Sequence, residues 1–384
     1  MREPPEESWP EQTPDTAGAL TIKQVAALAG VSRSTVSRVL NSHPNVREDV
    51  RATVLRVIDE HNYTPATAAR SLASQRSRAI AFLIPRSTGA VFASPYFPLL
   101  IQSMSEACSA RSYVMMLCLA TGAMEQDFLR LVRGRLYDGV IVQGGDVDDP
   151  VLPSLIKTGV PFVHYGRHPY LQHMSWVDSD NADAACQAVS HFLALGHRQV
   201  ATITGPLQEA CAVDRRDGYK QALLQAGIPV EPRFIVESDW LAEGGYAAMR
   251  QLLALPRRPT AVFAANDMMA FGAMRAIREA GLAVPEDVAL AGFDNLPTPN
   301  GMVPLTTLTA SVPNMCTAAV NMLIDRLEGG ETAPRHLWFP CTLIVRQSSG
   351  ALDRLRGEAP PAPGSAWEPA SMIVGSTRHG DNHA

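Results

Sequence analysis

Residues 21–73 hold two short amphipathic segments joined by a glycine, TIKQVAALAGVSRSTVSRVL, and later the small-residue stretch YTPATAARSLA. This order constrains the chain more than any other feature, because it prescribes a small all-α unit ahead of a much larger body. Ile22, Val25, Ala26 and Ala29 recur at the i, i+3, i+4, i+7 spacing of one helix face, with Lys23 and Gln24 outside it. Thr21 can cap that helix and Gly30 can make the turn after it. A second helix starting at Ser32 buries Val36, Val39 and Leu40 and leaves Arg33, Ser34, Ser37 and Arg38 outward. A third, over 48–62, offers Val50, Val54, Val57 and Ile58 to close a core that needs no metal or disulfide.

Helix, glycine turn and a second helix with a short cationic face is the geometry that sets the second helix in a DNA major groove. There Arg can bond bidentately to guanine and Ser or Thr can meet several base edges. The candidate DNA contacts are Ser32, Arg33, Ser34, Thr35, Arg38 and Asn41. Two amphipathic helices around a glycine also occur in proteins that bind no DNA, so charge is informative. Residues 21–80 carry nine Lys or Arg against four Asp or Glu, a balance of +5, although the whole chain stands at −5. A basic module can release counterions from DNA inside an acidic protein. Thr64 and Pro65 suit a cap and first helical position, and Ala66, Ala68, Ala69, Leu72 and Ala73 make a short helix. Marginal alone, it would order against a second copy and DNA, with Leu72 as a wedge between base steps. The competing reading is an Ala-rich linker.

From Arg78 onward, apolar runs alternate with amphipathic segments: AIAFLIP, YVMMLCLA, GVIVQGG and PFVHY, then QVATITG, FIVES, TAVFAAN and VALAGF. That alternation is the signature of parallel sheets. Two series imply two lobes, and a cleft facing the carboxyl ends of both sets of strands is the natural ligand site. Asp294 follows LAGF, Asn266 and Asp267 follow VFAA, Arg215 lies in DRRDGY and Trp240 in ESDWLAEGGY. A carboxylate, an amide and a guanidinium can hold the hydroxyls of a polar ligand while an indole covers its apolar face, a combination that suits a sugar. Each residue also admits a structural role: Asp or Asn after a strand can cap the next helix, and Trp can fill core.

The order VAALAGVSRSTVSRVLN, YTPATAARSLAS, ITGP, RRDGY, ANDMMAFGAMRAI and VALAGFDN resembles the lac repressor family of bacterial regulators (LacI/GalR), over roughly residues 20–350. The resemblance implies an N-terminal all-α helix-turn-helix domain with a hinge helix, and an α/β two-lobed, periplasmic-binding-protein-like core with parallel sheets. The corresponding segments are a disordered extension over 1–19, a DNA-binding domain over 20–62, hinge and linker over 63–77, an effector-binding and dimerisation domain over 78–350, and a disordered tail over 351–384. It places three crossings between lobes near Val177, Thr307 and Phe339. Arg215, Trp240, Asn266 and Asp294 match family effector positions. Tyr96 in ASPYF matches a position on the other lobe, and Gln143 is a further candidate there. Three departures stand out: Gly166 where many members carry Asp, with His164 or Arg167 as possible substitutes; Ala66 where the hinge often has Asn or Ser; and Arg47 in place of a frequent capping Ser.

A chain of 384 residues with 46% apolar residues fills two or three domains. Its six cysteines form no CxxC pair and read as reduced thiols of a cytoplasmic protein. The Pro-rich, acidic first nineteen residues offer no signal peptide or membrane span. Residues 351–384 lack apolar heptads, which favours a homodimer over a coiled-coil tetramer. A secreted solute-binding protein would lack residues 21–73, an architectural DNA binder would not need the large body, and the phosphate-loop, dinucleotide and nucleophile-elbow motifs of common enzymes are missing. The sequence therefore reads as a non-enzymatic regulator without cofactor or metal. It represses carbohydrate genes, binds an inverted-repeat operator as a dimer, and answers to a sugar through linked lobe movement. The alternatives are a nucleobase or other non-sugar effector, or a small-molecule-binding protein without regulatory role.

Overall fold

The computed structural model describes residues 20–40, 43–61, 63, 76–119, 121, 123–145, 151–169, 173–330 and 333–351. Asn41, the expected hinge helix with Ala66 and Leu72, the 1–19 extension and the tail from 352 lie outside the described residues. By contacts the chain divides into two compact units, one containing residues up to 79 together with 131–138, the other holding 80–130 and everything from 139 onward.

In the first unit, α1 (Ile22–Leu28), α2 (Arg33–Leu40) and α3 (Glu48–Glu60) enclose Val25, Ala26, Ala29, Val36, Val39, Val54, Val57 and Tyr63. Thr21 and Gln24 form a reciprocal capping box: Gln24 N–H donates to Thr21 Oγ1 and Thr21 N–H donates to Gln24 Oε1 at 2.7 Å. Gly30 takes φ +65 in the turn, a conformation with little steric cost only for glycine. Helix α3 ends at Glu60, short of the expected Asn62, and Tyr63 folds back into the core instead. Arg47 stands at its N-cap without a side-chain cap bond, and Glu48 and Asp49 complement the positive helix terminus in the first turn.

The second unit contains two parallel-type sheets. One is built from β1 (Ala79–Ile84), β2 (Val114–Leu119), β3 (Gly139–Gln143), β4 (Phe162–Tyr165), β5 (Ser175–Ser179) and β11 (His336–Phe339), in the order β11-β5-β4-β3-β1-β2. The other uses β6 (Val200–Thr204), β7 (Ile235–Glu237), β8 (Ala261–Ala264), β9 (Ala289–Phe293), β10 (Thr306–Thr309) and β12 (Thr342–Ile344), in the order β12-β10-β9-β8-β6-β7. Among the described pairings only β10–β12 is antiparallel. Strands β1, β6, β8 and β9 are buried along their whole length, as helices on both faces of a parallel sheet require.

Strands β5, β10, β11 and β12 fall outside the apolar runs legible in the sequence. They are short and carry polar residues, and they sit where the chain changes lobe. The crossings follow Ser179, Thr309 and Phe339, close to the expected Val177, Thr307 and Phe339. The helix Val312–Leu327 consequently returns to the first sheet, with Met315, Cys316, Val320 and Leu323 packed among Phe82, Leu100 and Met104.

The RRDGY motif is largely structural. A Cβ on Gly218 would stand 2.0 Å from the carbonyl oxygen of Ala182, so glycine lets the helices Asn181–Ala194 and Ala210–Gln225 touch backbone to backbone. Tyr219, fully buried, donates its hydroxyl to Val200 O at 2.8 Å and ties the second helix to β6.

Candidate functional site

A cleft lies at the carboxyl ends of both sheets, and the six residues singled out in the sequence converge on it. Tyr96, Gln143, Arg215 and Asp294 line both of its adjoining compartments. Trp240 and Asn266 line the outer one, while Tyr165, Asp178 and Asn181 line the inner one. Most of them end or follow a strand or open a helix, because a parallel sheet delivers its side chains at that edge, while Arg215 reaches it from the second turn of the helix Ala210–Gln225.

Arg215 is the centre of the inner wall. Its Nε donates to Asn181 Oδ1 at 2.8 Å and its Nη1 to Ala265 O at 2.5 Å, while its guanidinium carbon stands 3.6 Å from the Phe293 ring centroid. Asn181, 1% exposed, passes the contact on by donating to Asp178 Oδ1 at 3.1 Å. Burial raises Asp178 to about 6 against the backbone N–H groups of Arg167 and Ser179 that donate to it. Burial likewise raises Asp294 to about 7, with the nearby Arg215 charge pulling the other way. At these values Asp294 can donate as well as accept near neutral pH, while Asp178 is mainly an acceptor.

Trp240 adopts φ +69 and packs its ring on Gly205 of the ITGP motif, where a Cβ would come within 2.2 Å of the indole. Its Nε1 donates to Glu209 Oε1 at 2.8 Å. Asn266 takes the helix-capping role foreseen for it. It borders the outer compartment, but its Oδ1 accepts from Met269 N as a helix cap and its Nδ2 donates to Trp240 O, so its amide is already engaged. Asp267 is purely structural: fully buried, it accepts from Thr307 Oγ1 at 2.6 Å and Leu296 N at 2.7 Å.

Three polar partners escaped sequence reasoning. Glu209 accepts from Arg86 across the cleft, Nη2 lying 2.6 Å from each carboxylate oxygen. Asp214 accepts from Arg167 Nη2 at 2.6 and 2.8 Å. Asn181 connects Asp178 with Arg215. Arg86 and Arg167 belong to the first lobe, Glu209 and Asp214 to the helix Ala210–Gln225 and its cap on the second, so only the folded chain reveals the pairings. His164 and Arg167, the substitutes expected for the polar contact missing at Gly166, both make contacts of their own. Arg167 is engaged by Asp214. His164 faces Gly166 O at 2.6 Å through Nδ1, and burial lowers it to about 4.

In the first unit, Arg33, Ser34 and Arg38 are exposed along α2 while Thr35 is half-buried. Ser32 sits just before the helix. Its Oγ accepts from Thr35 N at 3.1 Å and lies 2.7 and 2.8 Å from the hydroxyls of Ser34 and Thr35. The terminus thus presents a hydroxyl cluster and helix N–H groups, a surface suited to phosphate, with the arginines beside it. Among the described residues no helix is long and apolar enough to cross a membrane.

The profile for bacterial regulatory proteins of the lacI family matches residues 21–66, and that for the periplasmic binding protein-like domain matches 189–349. The chain is 35% identical to the HTH-type transcriptional regulator CelR of Thermobifida fusca, over 85% of this chain and 98% of that protein. It is 30% identical to the HTH-type transcriptional repressor PurR of Photobacterium profundum, over 85% and 98%. A solved CelR–cellobiose complex aligns with TM-score 0.68 and 34% identity, covering 86% of this chain and 99% of that one. The lac repressor dimer bound to operator and the anti-inducer ONPF aligns with TM-score 0.75 and 27% identity, covering 86% and 99%.

Proposed function

Because this chain belongs to the lacI family of bacterial regulatory proteins, whose members bind operator DNA and a small effector, we propose that the two-lobed cleft takes a neutral sugar. The protein is a DNA-binding transcriptional regulator. The observation that carries the sugar reading is the state of the cleft's cations. Arg86 is met by Glu209, Arg167 by Asp214, and Arg215 by Asn181, the Ala265 carbonyl and the Phe293 ring. A phosphate or carboxylate ligand would stand beside Glu209 and Asp214 and compete with them for these cations, whereas hydroxyls can meet Asp178, Asp294 and Gln143 as they stand. The rings of Tyr96 and Trp240 offer apolar faces to pyranose C–H groups. The similar CelR bound to cellobiose supports the same class.

A purine base is the second reading, favoured by the similarity to PurR and by those same flat rings. Calorimetry and thermal-shift measurements with cellobiose, glucose, ribose and guanine separate the two, because a bound ligand stabilises the native state by mass action. Stabilisation by guanine alone would overturn the sugar class.

On this reading the protein is a cytoplasmic homodimer without enzymatic activity. It reads two inverted half-sites through Arg33, Ser34, Thr35 and Arg38 of each copy. Effector binding biases the lobes toward one arrangement and so changes operator affinity. Selection of operator sequences from a random duplex pool tests the DNA half: a dimer-spaced inverted repeat is expected.

A further inference from the structure

The order β4-β3-β1 within the first sheet sets the end of β3, and so Gln143, between two cross-cleft ion pairs: Arg167–Asp214 beyond β4 and Arg86–Glu209 beyond β1. The Arg86 pair borders the outer compartment, the Arg167 pair does not. Glu209, 6% exposed, accepts from Arg86 Nη2 and from Trp240 Nε1, so its carboxylate is fixed from both lobes. With Nη2 held, Arg86 Nε is a buried donor that finds no acceptor among the described residues. Gln143 Oε1 is a buried acceptor in the same condition, and both residues line the outer compartment. Buried polar atoms without partners are uncommon and costly, and at a ligand site they mark where ligand atoms belong.

We propose that Arg86 is a ligand-contacting, specificity-determining residue of the cleft, and that Glu209 on the opposite lobe holds it in position. A ligand hydroxyl has the chemistry for either open atom, accepting from Arg86 Nε or donating to Gln143 Oε1. An ether oxygen or a methyl group can satisfy at most one. Because the positioning partner is on the other lobe, this contact exists only while the lobes are apposed, which links recognition to lobe arrangement. The inference rests on the reading of the cleft as the effector site.

Two arms on the full-length protein test it. The first uses no ligand. Cys211 lines the same compartment, and burial pushes its thiol up to about 12, so alkylation by iodoacetamide should be slow in wild type. Peptide mass spectrometry should find severalfold faster modification of Cys211 in Arg86→Met, although losing that cation by itself raises the thiol; Glu209→Gln should be faster too, in part because the Glu209 charge that raises the thiol is gone. The Arg86→Met/Glu209→Gln double variant, which leaves no buried charge unpaired, should behave the same while remaining folded. Wild-type or slower rates in Arg86→Met and in the double variant overturn the positioning role.

The second arm is calorimetry with cellobiose, glucose, ribose and the monodeoxy cellobioses. Arg86→Met should bind the best of these about ten- to a hundredfold more weakly. One deoxy analogue should lose affinity for wild type but lose nothing further in Arg86→Met. Arg86→Lys should not restore binding, since an ammonium cannot serve the carboxylate and the hydroxyl with one planar fork. Fully additive losses overturn the specificity role. If no sugar binds wild type, the sugar reading and the specificity role both fall, and alkylation alone decides the positioning pair.

Discussion

The guanidinium of Arg215 lies over the ring of Phe293, 3.6 Å from its centroid, and the next residue in the chain is Asp294. The stack and two hydrogen bonds hold the cation against the end of β9. Asp294 meanwhile takes φ +110, a backbone conformation unfavourable for a side-chain-bearing residue. A buried cation and a carboxyl on strained backbone at one strand end form a pre-arranged donor and acceptor for a polar ligand.

Asp294→Asn is expected to fold, bind operator without effector, and bind effector more weakly by about 1–3 kcal/mol, because one ligand hydroxyl loses its carboxyl partner. Arg215→Ala should lose as much and also melt earlier, since Asn181 loses its donor and Phe293 its cover. Effector titration by calorimetry, alongside operator binding, checks both. Wild-type effector affinity would remove them from the site, and lost operator binding in effector-free protein would assign them to the lobe equilibrium.

Effector-free stability should depend on pH through the same carboxyl. Asp294 moves from 3.8 to about 7 on folding, so the native state binds the extra proton. Its contribution is full below about pH 4 and is lost as pH rises through about 7. Asp178 acts with the same sign up to about 6, while His164, lowered from 6.5 to about 4, and His191, also lowered by burial, act oppositely until pH has passed above 6.5. Between about pH 6.5 and 7.5 the melting temperature of wild type should therefore fall relative to that of Asp294→Asn, in which the other groups titrate unchanged. Parallel slopes would show that the carboxyl does not titrate there.

Replacing Arg38 by Ala should cost about 1–3 kcal/mol and relax preference at one base pair of each half-site, as loss of a bidentate guanine contact does. Binding to a set of single-base operator variants measures this. A uniform loss across the set would make Arg38 a phosphate contact.

Gly218→Ala should lower the urea midpoint by the equivalent of about 1–3 kcal/mol, since the added methyl meets the Ala182 carbonyl and the two helices must part. An unchanged midpoint would mean that the helices separate at no cost.

Much of this protein follows from its sequence because the decisive signals are local. Val25, Val36, Val54 and Val57 sit at helical spacing and close the small core where that spacing places them. Fully apolar runs such as AIAFLI become strands buried on both faces. Asp294 and Trp240 were legible because a residue just after a parallel strand has little choice but to face the cleft, and Arg215, inside the helix Ala210–Gln225, because of the RRDGY motif. The crossing strands β5, β10, β11 and β12 were not, being three to five residues long and stabilised by neighbours distant in sequence. Nor were the partners. Arg86 finds Glu209 across 123 positions, Arg167 finds Asp214 across 47, and the amide of Asn266 is engaged by Trp240 across 26. Charge–charge and side-chain contacts at such separations depend on how two sheets face each other. The sequence determined which groups reach the cleft, and the tertiary structure decided which are already satisfied there and which still await a ligand.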